Sequence, residues 1–184
     1  MTPEHQLDPE ALGDKIDRLY RAAWSLCGSR EEADDLVQET FALVLRKPRI
    51  LRSEDDLGYL LRVLRNTFFS QRRAVARRPQ TTHLPDDFDT IEDRSATQPE
   101  SRLQAAELYG AISALPDDFR DALVAIDVMG LSYREAARAL RVREATITTR
   151  LHRARQRVAR ALSEDDLPAP EPSAPTGPSQ AREP

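Results

Sequence analysis

Apolar residues recur at steps of three and four along most of this chain, and one long stretch, residues 79–99, interrupts them. Spacing of this kind predicts amphipathic helices. The interruption holds three prolines, five acidic residues and little helical periodicity, so it predicts a linker. The expected fold class is therefore all-α, with two small helical domains joined by a flexible linker. Each domain would bury only a thin core and would depend on a partner for stability.

The predicted domain boundaries follow from the same pattern. The first domain covers residues 8–78 and the second covers residues 100–163, on either side of the linker. Three helices are expected in the first domain, with Gly28 ending the first of them. The tail, residues 164–184, is acidic and rich in proline, so it cannot bury a core and is predicted to be disordered.

Composition excludes several classes of protein. A single cysteine, Cys27, excludes an internal disulfide framework and a Cys-rich metal site. The three histidines have no ligand spacing, so no metal and no other cofactor is expected. No apolar run approaches the roughly 18 residues of a membrane span, and the N-terminus is acidic and polar. We therefore expect no membrane insertion, a cytoplasmic location and, since no catalytic constellation is recognisable, no enzymatic activity.

Charge is segregated along the chain, although the total is only −4. Residues 62–78 carry six Arg and no acidic residue, and residues 129–163 carry nine Arg and two Glu. The segments around these two blocks are acidic. Two basic blocks in an acidic background predict two separate anion-binding surfaces.

The second basic block contains the most informative motif. Ser132 and Glu135 have the spacing of a capping box at the start of a short helix, and residues 141–143 form a tight connection to a second helix. A short helix, a tight turn and a helix with a polar, basic start are typical of a DNA-binding helix-turn-helix. The alternative is a helical hairpin whose Arg face is merely solvated. The apolar face of the short helix is expected to contain Tyr133, Ala136, Ala137 and Leu140.

The first basic block lies on a predicted helix from about Leu57 to Ala76. Its cations are interleaved with aromatic and amide side chains, a combination that suits single-stranded nucleic acid because bases stack and backbone charge is neutralised. The alternative is that Phe68 and Phe69 are core residues and the Arg side chains are solvated. One of the two Phe is expected in the core.

Several blocks of this sequence, in the order in which they occur, resemble the extracytoplasmic-function (ECF) sigma factors of bacterial RNA polymerase, over about residues 13–162. Residues 33–41 (ADDLVQETF) resemble the region 2 motif that docks on the β′ clamp helices of the polymerase. Residues 59–69 (YLLRVLRNTFF) resemble the helix that melts and recognises the −10 element. The matches to region 4 are residues 115–120 and 130–133 at its start and residues 146–155 (TITTRLHRAR) in its −35 recognition helix.

The resemblance implies a sigma factor that docks on core RNA polymerase, through the β′ clamp helices and the β flap, and directs promoter-specific initiation. Promoter DNA and a cognate anti-sigma factor are the other partners that it implies. Polymerase binding is expected from Asp34, Asp35, Gln38 and Glu39. Binding of the melted −10 strand is expected from Arg62, Arg65, Asn66, Phe69, Arg72 and Arg73. Binding of the −35 duplex is expected from Arg143, Thr146, Thr148, Thr149, His152 and Arg153.

The chain departs from the family pattern at Arg141, where relatives usually carry Gly before the turn. A non-Gly residue there must avoid positive φ or bear strain. Glu144 and Ala145 also replace a common small-Gly pair ahead of the recognition helix. These changes leave the expected fold intact and leave the promoter sequence open.

Two alternatives of a different class stay open. A helix-turn-helix regulator would bind duplex DNA without initiating transcription, but it would have no need of the acidic block and the Arg/Phe helix. A helical module that binds only protein would leave both Arg faces solvated.

Overall fold

The structure, a computed structural model, describes residues 4–6, 9–46, 50–52, 56–77 and 99–164. This part of the chain contains seven α-helices and one short two-stranded ribbon, which confirms the all-α prediction. Strands of three residues are too short to show an alternating pattern in the sequence. The helices are α1 (Pro9–Cys27), α2 (Arg30–Arg46), α3 (Asp56–Arg77), α4 (Pro99–Ser113), α5 (Asp117–Leu123), α6 (Tyr133–Leu140) and α7 (Glu144–Glu164); a π-helical turn (Val124–Val128) follows α5, and β1 (Glu4–Gln6) pairs antiparallel with β2 (Ile50–Arg52).

Helices α1, α2 and α3 pack together because each carries one apolar face. Leu19, Leu36 and Leu64 are fully buried where these faces meet. Gly28 has a φ of +82° and ends α1 as predicted, since a left-handed residue reverses the chain there. Ser29 caps α2 by accepting a hydrogen bond from a first-turn amide at 3.2 Å.

The second unit, α4 to α7, is organised around the apolar face of α7. Ile147, Leu151 and Ala154 are almost completely buried on that face. Arg120 of α5 is also buried, at 2% exposure, and its guanidinium donates to the carbonyl of Ser113 at 2.9 Å. A buried guanidinium with a carbonyl partner holds the end of α4 against the start of α5.

The two helical units contact each other directly. The ring of Trp24 in α1 lies against the ring of Tyr109 in α4, with centroids 4.3 Å apart. The guanidinium of Arg65 in α3 binds the carboxylate of Asp121 in α5 at 2.5 Å. Buried residues of both units form one continuous apolar cluster. A small domain buries only a thin core and depends on a partner for stability. Here each unit has the other unit as that partner. The exact domain boundaries remain a prediction, and residues 78–98 and 165–184 lie outside the described residues.

Candidate nucleic-acid interface

Helices α6 and α7 form the expected helix-turn-helix, and local bonds set its geometry. The predicted capping box is present: Oγ of Ser132 accepts from the amide of Glu135 at 3.3 Å, and the Glu135 carboxylate accepts from the amide of Ser132 at 2.7 Å. Arg141 ends α6 in the left-handed conformation, with φ +57° and ψ +43°. The amide of Val142 then donates to the carbonyl of Ala137 at 3.0 Å. Glycine adopts this conformation without strain, and arginine does not.

The face of α7 opposite the core carries the predicted −35 residues. All six lie in the turn before α7 or in its first three turns. The hydroxyls of Thr148 and Thr149 donate to carbonyls one helical turn earlier, at 3.2 and 3.1 Å, so their oxygens keep acceptor capacity toward solvent. Thr146 is half-buried, and the exposed members are Arg143, Thr148, Thr149, His152 and Arg153.

Two arginines of α7 are held by acidic residues of the same unit. Arg155 binds both carboxylate oxygens of Asp127 in the π-helical turn, at 2.9 and 2.6 Å, and these hydrogen bonds raise the pKa of Arg155 further above its usual range. Arg150 binds the carboxylate of Asp118 in α5 at 2.6 Å. The bidentate pair of Arg155 with Asp127 fixes the orientation of the guanidinium as well as neutralising its charge. These two pairs therefore tie α7 to the elements beneath it.

A third arginine of α7 is held by an aromatic ring. The guanidinium of Arg157 lies 4.9 Å from the ring centroid of Phe119 in α5, within the range of a cation–π contact. By contrast, Arg143 and Arg153 make no ion pair with any acidic residue that the structure describes. Arg143 and Arg153 therefore leave positive charge, unpaired by any described acidic residue, near the start of α7.

The predicted −10 residues all lie on α3, and they are either exposed or half-buried. The side chain of Asn66 is exposed and lines a groove of about 450 Å³ between α2 and α3, together with Gln71 and Glu39. Phe68 is 5% exposed, which confirms that one of the two neighbouring Phe is a core residue. Arg72 and Arg73 are exposed, whereas Arg62, Arg65 and Phe69 are half-buried.

Arg65 is the most strongly engaged of these residues. Its guanidinium lies 4.8 Å from the ring centroid of Phe69 and also binds Asp121, whose side chain is only 4% exposed. Burial raises the pKa of the Asp121 carboxyl above its usual range, although the nearby Arg65 guanidinium acts in the opposite direction. The structure thus places a region that was expected to face a DNA strand against an acidic residue of the second unit. Sequence reasoning missed Asp121, and its only signal was the acidic segment between the two basic blocks.

The acidic residues of α2 form a solvent-facing surface. Asp35, Gln38 and Glu39 are exposed, whereas Asp34 is half-buried and one of its carboxylate oxygens is buried without a hydrogen-bond partner. Burial, followed by the charge of Asp35, raises the pKa of Asp34. The structure brings the four predicted polymerase-binding residues together on this one helix. Among the contacts that the structure describes, none of these four residues contacts Arg65.

Other kinds of site find little support in the described residues. No group of three or more His, Cys, Asp or Glu side chains there could hold a metal ion. No described helix is both long and apolar enough to cross a membrane. Burial raises the pKa of the Cys27 thiol to about 12, so this cysteine is a protonated, weakly reactive thiol at neutral pH.

Comparison with known families agrees with this geometry. The model of sigma-70 region 2 matches residues 15–78, and the model of sigma-70 region 4 matches residues 105–158. The ECF RNA polymerase sigma factor EcfG of Rhodopseudomonas palustris is 32% identical over 153 residues, which cover 82% of each chain. This chain belongs to the ECF sigma factors. The ECF sigma factor SigE of Mycolicibacterium smegmatis is 37% identical over 153 residues, which cover 81% of this chain but 59% of that longer relative.

Two solved structures share the fold of this ECF sigma factor. The sigma factor RpoE of Bartonella quintana, solved in complex with the anti-sigma factor NepR, has a TM-score of 0.63 and 25% identity, and the match covers 85% of this chain and 96% of RpoE. CnrH, solved with the cytosolic domain of CnrY, has a TM-score of 0.61 and 20% identity, covering 85% of this chain and 87% of CnrH. The region 2 match also decides against the two alternatives, because neither a plain helix-turn-helix regulator nor a protein-only module would contain that domain.

Proposed function

We propose that this ECF sigma factor docks on core RNA polymerase and directs initiation at promoters by binding the −35 duplex and the melted −10 strand. The observation that carries the proposal is the coexistence, on one chain, of an exposed acidic face on α2 and an exposed basic, Thr-rich start of α7. The first suits a protein partner and the second suits a DNA groove. The chain acts by binding alone, as sigma factors are non-enzymatic initiation factors.

Polymerase docking is assigned to the acidic face of α2, with Asp34, Asp35, Gln38 and Glu39. An exposed row of acidic and amide side chains is complementary to a basic protein surface and would steer the encounter. The partly buried Asp34, which has an oxygen without a hydrogen-bond partner, gains most from a cationic partner. In this proposal the face binds the β′ clamp helices, and the second unit binds the β flap.

The −10 strand is assigned to α3. Exposed Asn66 and Arg73 are available to bases and phosphates, as is Arg72 once it leaves the ring of Phe68, whose centroid lies 5.5 Å from its guanidinium. Phe69 offers a ring face on which a base can stack once Arg65 moves off it. Arg62 and Arg65 complete the cationic row. The groove between α2 and α3 supplies amide groups beside this row. A single strand that follows α3 would therefore meet both charge and stacking surface.

The −35 duplex is assigned to α7 and the turn before it. A recognition helix enters the major groove with its first turns, and the side chains there contact base edges. Arg153, His152 and the three Thr supply donors, acceptors and methyl groups, whereas Arg143 can bind a phosphate. The pairs of Arg150 and Arg155 with acidic residues keep α7 rigid on its support.

An anti-sigma factor is the remaining partner that we propose. The similar structures of RpoE and CnrH were both solved with a second protein, an anti-sigma factor in the case of RpoE. A protein of this kind would compete with polymerase or DNA for the faces described above. Such a sigma factor is proposed to act in the cytoplasm, without membrane insertion.

Charge reversal on α2 tests the docking assignment. Asp35→Lys should weaken binding of the full chain to purified core polymerase by at least about tenfold, or about 1.4 kcal/mol, because a repulsive charge enters the interface. The matched control is Glu107→Lys, an equal charge change at an exposed position of α4. Equal affinities for the two variants, measured by titration of labelled protein with core polymerase, would remove α2 from the interface.

A further inference from the structure

The turn between α6 and α7 contains a strained arginine. Arg141 is the one non-glycine residue with positive φ in the described part of the chain. A left-handed conformation is sterically unfavourable for an L-residue other than glycine. The hydrogen bonds that close the turn, from the amides of Arg141 and Val142 to the carbonyl of Ala137, do not involve the side chain. Glycine at this position would form the same turn without that cost.

No described residue offsets the cost through the Arg141 side chain. That side chain is exposed and makes no hydrogen bond, ion pair or ring contact with any residue that the structure describes. Three arginines further along α7 are different, since Arg150, Arg155 and Arg157 are each held by an acidic or aromatic side chain. Strain without an internal compensation points to a ligand.

The position of Arg141 identifies the kind of ligand. The turn precedes the part of α7 assigned to the major groove, and Arg143, two residues on, is also exposed without a described acidic partner. The groove is about 12 Å wide, close to the roughly 10–12 Å diameter of a helix, so the backbone strands flank the helix closely. A long cationic side chain just before the helix therefore lies within reach of backbone phosphates.

We propose that Arg141 binds a phosphate of the DNA backbone beside the −35 element, and that this contact compensates for the strain of its left-handed conformation. The proposal rests on the assignment of α7 to duplex DNA. Phosphate contacts position a protein on DNA and carry no sequence information. Arg141 is thus a positioning contact that sets how α7 enters the groove, whereas base recognition stays with the residues of α7.

Substitution by glycine removes both the strain and the charge of Arg141, and the two losses have opposite effects on two different measurements. Arg141→Gly should raise the Tm of the full chain, yet weaken its binding to duplex DNA. The loss should be equal on a duplex enriched from a randomised pool by the wild-type chain and on a shuffled duplex. The slope of log Kobs against log salt, from about 50 to about 200 mM, should become shallower by about 0.9, the value for one phosphate.

Two further variants complete the test. Arg141→Lys keeps both strain and charge, so it should retain the wild-type Tm and most of the wild-type salt slope. Arg46→Gln removes one positive charge at an exposed position of α2, which is assigned to polymerase and not to duplex DNA, so its salt slope should match that of the wild type. All bindings are measured by fluorescence anisotropy with the same two duplexes.

The outcomes distinguish failure of this proposal from failure of the proposed function. If the wild-type chain binds the duplexes and Arg141→Gly binds them with the same affinity and salt slope, the phosphate contact alone is overturned. A fall in Tm for that variant would overturn the assignment of strain on which the proposal depends. A wild-type chain that binds neither duplex would overturn the duplex-binding function of α7, and the proposal with it.

Discussion

The side chains of α7 fall into two groups, those that hold the helix to neighbouring elements and those that are exposed without a described partner. Arg153 is exposed, lies in the third turn and makes no ion pair with a described acidic residue. Arg155, two residues on, is bound by both oxygens of Asp127. Neighbouring arginines of the same helix therefore differ in role, and their substitution should have different effects.

Arg153→Ala is expected to weaken binding to the preferred −35 sequence by about 1–3 kcal/mol, if its guanidinium contacts a base edge. The loss should be smaller on a shuffled duplex, since a base contact is specific to sequence. Anisotropy titrations with the full chain and both duplexes measure the difference. An equal, smaller loss on both duplexes would make Arg153 a phosphate contact instead.

Local features of individual residues follow from the sequence, but their burial and long-range contacts do not. The capping box at Ser132 depends on a neighbour three residues away, and the sequence displays it. The left-handed conformation of Arg141 was left open by the sequence, since an arginine there could avoid positive φ or bear strain, and the structure shows that it bears strain. Tyr133 was expected on the apolar face of α6 but is 41% exposed. Apolar spacing predicts which side of a helix a residue lies on, but not whether another element packs against that position. The pairing of Arg65 with Asp121 joins residues 56 positions apart, and no local pattern predicts such a contact.

Helix α6 depends on its N-terminal cap. It has only eight residues, and its first turn is held by the reciprocal bonds between Ser132 and Glu135. Short helices have little stability of their own, so a lost cap is felt strongly. Helix α6 in turn packs against α7, the helix that the proposed function places in the major groove.

Ser132→Ala is therefore expected to lower the free energy of unfolding by about 1 kcal/mol, because an N-terminal amide loses its acceptor. Hydrogen bonds from Ser132 lower the pKa of Glu135. The contribution of this carboxylate is present at neutral pH and is lost as the pH falls through its lowered pKa, so the cost of the substitution should shrink on acidification.

Urea denaturation at neutral and acidic pH measures both effects. Ser70→Ala is the matched control, since Ser70 is exposed within α3 and caps no helix. A serine-to-alanine change there should cost nothing. Equal losses for the two variants at neutral pH would contradict the role of the cap.

Of the seven helices that the structure describes, the sequence predicted five individually, whereas α4 and α5 lie where only the second domain as a whole was predicted. Helical spacing predicted α1, α2, α3, α6 and α7 because each has an apolar face that a bundle must cover. The ribbon of β1 and β2 escaped prediction because its strands are three residues long. The fit of one bundle on the other depends on surfaces from distant segments, which spacing within a helix does not encode.

In the molecule as a whole, the second unit occupies part of the surface assigned to the −10 strand. Asp121 lies on Arg65, and the guanidinium of Arg120 lies 5.4 Å from the ring centroid of Phe68. The exposed acidic face of α2 takes no part in these contacts. In this arrangement the carboxylate of Asp121 occupies the guanidinium of Arg65, which the proposed function pairs with a phosphate of the −10 strand.

Asp121→Asn should therefore increase the affinity of the full chain for an oligothymidine strand, because it removes the charge that neutralises Arg65. The same change should lower the free energy of unfolding by about 1–3 kcal/mol, since a buried charge-assisted hydrogen bond is weakened. Anisotropy and urea denaturation measure the two effects.

Glu107→Gln is the control for this experiment, as it removes one negative charge from an exposed position of α4. A gain in strand affinity that is equal in both variants would show only the change in net charge. A gain confined to Asp121→Asn would assign it to the contact between the two units.

The central claim is that this chain is a sigma factor that selects promoters through two separate surfaces. The most direct test is transcription of a genomic DNA library by purified core polymerase, with and without the full chain, followed by mapping of RNA 5′ ends. The account predicts discrete new 5′ ends whose upstream sequences share two motifs about two helical turns apart, roughly 70 Å. Absence of new starts, together with absence of binding to core polymerase, would contradict it.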